Sequence, residues 1–122
     1  MCDIYTSADP IHYEQRTRSM RIRGVVTSIR LENLCWDILA RIASKDQMTT
    51  NQLISKLYDE IIERQGRVDN LSSFLRVCCM RYLSYVAEQQ EKDHLMMKQS
   101  ALAGSGQGQL HALPTRLQLK SS

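Results

Sequence analysis

Along this 122-residue chain the spacing of apolar positions changes from two to three or four, and the change divides the sequence into elements. Met20 and Ile22 are apolar on even positions, with Arg21 and Arg23 between them. Beyond Gly24 the phase flips: Val25, Ile29 and Leu31 take odd positions, with Thr27 the polar exception, while Val26, Ser28 and Arg30 share the other face. Alternation with period two is the pattern of an extended strand with one covered face. It predicts a strand over 25–31 and a shorter extended segment over 19–23. A one-residue slip at a glycine is what a bulge or a sharp bend produces.

The period then lengthens. In "LENLCWDILARIASK", the residues Leu34, Cys35, Ile38, Leu39, Ile42 and Ala43 recur three and four apart, which lines one face of a helix. Thr49 with Gln52 three residues later is a capping-box pair, and Met48 and Leu53 flank it as a hydrophobic staple. That second helix carries Leu53, Ile54, Leu57, Tyr58, Ile61 and Ile62 as its apolar stripe, and Gly66 is a natural stop. A third helix is expected from Asp69 or Asn70, with Leu71, Phe74, Leu75, Cys78, Tyr82 and Val86 in register, running to about Lys98. The chain is thus read as an irregular basic arm over 1–18, a folded domain over 19–98, and a flexible, disordered tail over 99–122 that opens with "AGSGQGQ".

A lone strand cannot stand without a neighbour, because its backbone donors and acceptors need partners. The same strand of a second copy is the simplest one, which predicts a two-fold dimer with an antiparallel ribbon between chains. Odd positions of that ribbon would face the helices, and Val26, Ser28 and Arg30 would face outward. A tetramer built through the third helix is an open alternative. Trp36 is expected to pack at the dimer interface or at a helix junction.

Composition adds little until it is read by position. Hydrophobic residues make up 43% and charged residues 24%, an ordinary globular balance, and the net charge is only +3. Yet residues 15–31 hold Arg16, Arg18, Arg21, Arg23 and Arg30 and no acid. Such asymmetry points to an anionic partner. The first four of these arginines suit phosphate contacts. Gripping an anionic ligand such as a nucleotide, or solubilising the arm, are the alternatives. Cys2, Cys35, Cys78 and Cys79 form no CxxC pair and His12, His94 and His111 are scattered, so no metal site is expected. Cys78 is expected to be buried, and the cysteines suit a reducing cytoplasm. No leader peptide and no membrane span are read. There is no nucleophile, base and acid grouping and no phosphate-cradling loop, so neither an enzyme nor a bound cofactor is expected.

The order strand, helix, helix in "TSIRLENLCWDILARIASKDQMTTNQLISKLYDEI" resembles the ribbon-helix-helix DNA-binding family. The runs "YEQRTRS", "VTSIRLENLCW" and "NLSSFLRVCCMRYL" are similar to an uncharacterised bacterial branch with an additional C-terminal helix. The resemblance covers roughly residues 13 to 85. It implies a mainly α fold: one strand per chain paired across a dimer, two helices, then a third. It further implies a ribbon in the major groove of double-stranded DNA, with Val26, Ser28 and Arg30 reading base edges. Backbone amides near Thr49, Thr50 and Asn51 would hold a phosphate at the second helix's N-terminus. The function implied is that of a bacterial, nucleoid-associated transcriptional regulator. An oligomeric protein-interaction module, antitoxin-like or effector-binding, is the alternative on the same scaffold.

Overall fold

Arg23 and Gly24 decide the architecture. Both adopt left-handed backbone, with φ of 52° and 81°, and two such residues form the tight loop whose twist matches a β-hairpin. The second position favours glycine for its φ alone, since a side chain there would meet nothing within 4 Å. The structure, a computed structural model, describes residues 2–103. Before the hairpin lie two single-turn helices, α1 (Asp3–Thr6) and α2 (Pro10–Tyr13). The hairpin itself is β1 (Gln15–Ile22) and β2 (Val25–Glu32), paired antiparallel from Ile22↔Val25 at the loop to Gln15↔Glu32 at the open end. One further bond, from the Asn33 amide to the Glu14 carbonyl at 2.8 Å, closes that end.

This corrects two expectations. The phase flip at Gly24 is a full reversal of the chain, not a bulge within one run. The chain also carries a second strand: β1 lies along one edge of β2, since a two-residue loop closes at little entropic cost, and the other edge of β2 has no neighbour among the described residues. Within residues 2–18 the chain holds α1, α2 and the first half of β1.

Helices α3 (Asn33–Lys45), α4 (Thr50–Gln65) and α5 (Leu71–Ala103) follow. The Thr49–Gln52 capping box forms in both directions: the Gln52 amide donates to Thr49 Oγ1 at 3.1 Å, and the Thr49 amide to Gln52 Oε1 at 2.9 Å. Gly66 ends α4 in the left-handed region, and Asn70 caps α5 by accepting from the Ser73 amide at 3.1 Å. The hairpin's inner face (Met20, Ile22, Ile29 and Leu31) packs with Trp36, Ile38, Leu39, Ala43, Leu53, Ile54, Leu75 and Cys79 in one core. Trp36 lies inside this chain, only 2% exposed, so it is not available to a dimer interface. On α5 the buried thiol is Cys79, while Cys78 is half-buried.

The chain divides into two units at Leu83 and Ser84. The described part of the second is the continuation of α5, which reaches Ala103 and so passes the expected end near Lys98. The expected tail beyond residue 103 lies outside the described residues.

Candidate nucleic-acid interface

Directly opposed residues of an antiparallel pair project to the same side of the sheet. The register therefore places Arg21 beside Val26, Ser19 beside Ser28, and Thr17 beside Arg30 on the face turned away from the helices. All six are exposed. Val26, Ser28 and Arg30 thus lie on the outward face, as their phase implied. Val25, on the opposite phase, is nonetheless 64% exposed beside the loop.

Local contacts order this face. Arg30 Nε donates to Gln15 Oε1 at 2.6 Å, and Arg21 Nη1 donates to the Gly24 carbonyl at 3.1 Å. The Ser19 and Ser28 hydroxyls meet at 3.3 Å. The Glu32 carboxylate, paired across from Gln15 at the open end, is already engaged. Arg76 Nε of α5 donates to its Oε1 at 2.8 Å, and Gln15 Nε2 to its Oε2 at 3.1 Å. Those hydrogen bonds, Arg76 first, hold the Glu32 carboxyl at about 2, well below its ordinary 4.5. No acid in this grid competes with an anionic partner.

The remaining arginines sort by their surroundings. The Arg18 guanidinium lies 4.7 Å from the centroid of the Trp36 ring and donates to Asn51 Oδ1 at 3.2 Å. The Trp36 indole in turn donates to the Arg16 carbonyl at 3.0 Å. Two of the expected phosphate contacts, Arg18 and Asn51, therefore meet at the N-terminus of α4. The capping box occupies the amides of Thr49 and Gln52, and among the described residues nothing accepts from those of Thr50 and Asn51. Arg16 is exposed. Arg23 differs: its Nε is bound to Asp59 Oδ1 at 2.8 Å and its guanidinium lies 5.9 Å from the Tyr58 ring centroid. Its first task is to tie the hairpin loop to α4.

Reading the sequence missed three things here. Thr17 and Ser19 share the outward face with Arg21, a placement that their alternation with Arg18 and Met20 signals only weakly beside the run of arginines. The clamp of Glu32 by Arg76 joins residues 44 positions apart, which no local pattern signals. The Arg18, Trp36 and Asn51 cluster likewise spans three elements.

The cysteines lend themselves to packing. Burial pushes the Cys79 thiol up to about 12, and its Sγ donates to the Cys35 carbonyl at 3.6 Å. A thiol held that high stays protonated at neutral pH and is a poor nucleophile. Among the described residues no group of metal-ligating side chains occurs, and no helix is long and apolar enough to cross a membrane.

Comparison with known proteins agrees with this geometry. The model of the ribbon-helix-helix domain matches residues 15–83. Among solved structures, the chain is similar to an uncharacterized protein from Bordetella pertussis Tohama I. That likeness has 48% identity and a TM-score of 0.70, and covers 72% of this chain and 70% of that one. No curated protein matches significantly.

Proposed function

The chain belongs to the ribbon-helix-helix family, and from that premise we propose that it is a sequence-specific, double-stranded DNA-binding protein that regulates transcription. The observation that carries the proposal is the outward hairpin face: two arginines, two serines and a threonine on one sheet face, with the adjoining Glu32 carboxylate already paired to Arg76. Arginine offers a fork of donors to guanine O6 and N7, serine pairs with either kind of edge group, and Val26 suits a thymine methyl. The N-terminus of α4, with its two unengaged amides and Arg18 beside them, suits a backbone phosphate.

Ribbon-helix-helix domains generally bind DNA and dimerise, so a homodimer is part of the proposal. β1 covers one edge of β2 and a second copy can take the other; Val77, Met80 and Leu83, three apart and exposed on α5, are an apolar surface that a second copy can also cover. A bacterial cytoplasm, at the nucleoid, is the setting this function implies.

Electrophoretic retardation of random duplexes at two salt concentrations tests the reading. Retardation that weakens steeply with salt is expected, since each neutralised phosphate contributes a slope of about −0.9. Unchanged mobility at low salt overturns it.

A further inference from the structure

We propose that Gln15, Glu32 and Arg76 are positioning residues for Arg30, a relay through which α5 sets how the outward arginine of β2 meets a base. This rests on the DNA-binding reading and goes beyond it, giving a part in sequence discrimination to three residues that act through another side chain.

The relay is continuous. Arg76 Nε donates to Glu32 Oε1 at 2.8 Å, Gln15 Nε2 to Glu32 Oε2 at 3.1 Å, and Arg30 Nε to Gln15 Oε1 at 2.6 Å. Its polarity permits one arrangement. A guanidinium only donates and an ionised carboxylate only accepts, so the Gln15 amide must turn its oxygen to Arg30 and its nitrogen to Glu32. Reversed, it would set donor against donor at one end and acceptor against acceptor at the other. The register brings these groups together: Gln15 lies directly across from Glu32, and Arg30 is the next outward residue of β2, diagonal to Gln15. Every contact has a charged partner, which makes the stronger kind of hydrogen bond. The side chains of Arg76 and Glu32 are only 33% and 27% exposed. Arg76 is placed in turn by its neighbour Leu75, which is fully buried in the core, so the seating of α5 reaches Arg30.

The hold on Arg30 falls where it helps recognition. It takes Nε and leaves both terminal nitrogens, the fork that can meet guanine O6 and N7 together. Arg21 on the same face is held differently, with its terminal Nη1 spent on the Gly24 carbonyl. A free arginine gives up rotamer freedom when it binds, whereas a held one has given it up beforehand, so the relay favours the matched base through preorganisation. Arg76 has a second effect. Glu32 lies two residues from Arg30 on the same face; bound to Arg76, its carboxylate is not left to draw the Arg30 guanidinium toward itself.

The test uses the full chain and a DNA fragment selected from a genomic pool, with thermal melting as a check on folding. Arg30→Ala first identifies the base pair at which preference is lost. Gln15→Met keeps the length of an exposed side chain and removes both its polar contacts. It is expected to lower preference at that same base pair about two- to tenfold. Preference at other base pairs, the salt slope and the melting temperature should stay as they were. Added to Arg30→Ala it should have no further effect, since the two side chains act as one. Gln15→Glu alone sets two carboxylates face to face, and Glu32→Gln alone leaves one contact of the row mismatched; each should lose discrimination. The two together restore a donor facing an acceptor at every step and should recover it, which a merely structural role would not give. Full preference in Gln15→Met, losses that add to those of Arg30→Ala, or no recovery in the exchanged pair would overturn the inference. If the unaltered chain retards no duplex, the DNA-binding reading itself fails and this falls with it, whereas binding whose discrimination ignores Arg30→Ala removes only the relay.

Discussion

The two faces of one hairpin are built from the same sixteen residues under opposite rules. The inner face holds Met20, Ile22, Ile29 and Leu31, all buried, and its value lies in the apolar area removed from water. The outer face holds Thr17, Ser19, Arg21, Val26, Ser28 and Arg30, all exposed, and contributes almost nothing to the core. A side chain inside is constrained by volume; one outside is constrained only by what it must touch beyond the molecule. Stability and recognition can therefore be altered separately, strand position by strand position.

That separation can be broken most forcefully from the inside. Leu31→Ala removes a fully buried side chain beneath α3 and should cost about 2–5 kcal/mol, read as a lower urea midpoint with an unchanged slope. Arg30→Ala, one position away, should leave that midpoint within about 0.5 kcal/mol. It should cost about 1–3 kcal/mol of discrimination between DNA sequences. If Arg30→Ala unfolds the chain, or Leu31→Ala does not destabilise it, the two-face account is wrong.

The open end of the hairpin offers a finer probe. Glu32 binds its proton less readily when folded, at about 2, than at its ordinary 4.5. Its contribution is therefore present in full above pH 4.5 and lost as the pH falls toward 2. Urea unfolding across that window should show a loss of about 1 kcal/mol that Glu32→Gln lacks, the pair with Arg76 being partly solvated. Thr49→Ala removes a capping hydroxyl and should cost about 1 kcal/mol, again by urea unfolding. The smallest effect sorts the inward arginines. Arg18→Ala, and likewise Arg16→Ala, should weaken binding to every duplex and flatten its salt slope by about 0.9. Arg23→Ala should leave the slope as it was, because that guanidinium is held by Asp59.

Much of this was legible in the residues. The periodicity of α3 and α4 marked their covered faces, and Thr49 with Gln52 announced a capping box that forms in full. The phase of β2 placed Val26, Ser28 and Arg30 outward. What escaped was every relation between distant segments. Met20 and Ile22 offer only a brief alternation, and a flip at Gly24 is common to bulges and hairpins, so the first four residues of β1, from Gln15, carry no strand signal of their own. Cys78 and Cys79 are adjacent on a helix, and a rotation of 100° decides which is buried; α3 selected Cys79.

The sequence by itself determined which segments are extended or helical and which side of each is apolar, because a side-chain pattern reports directly on local geometry. Which strand lies beside β2 was settled only in three dimensions. Backbone hydrogen bonds are the same for every residue, so alternation declares a face and leaves the neighbour unnamed. The loop of Arg23 and Gly24 brought β1 into that place, and the anchors of Arg23 on Asp59 and Glu32 on Arg76 hold the two ends of the hairpin to its helices.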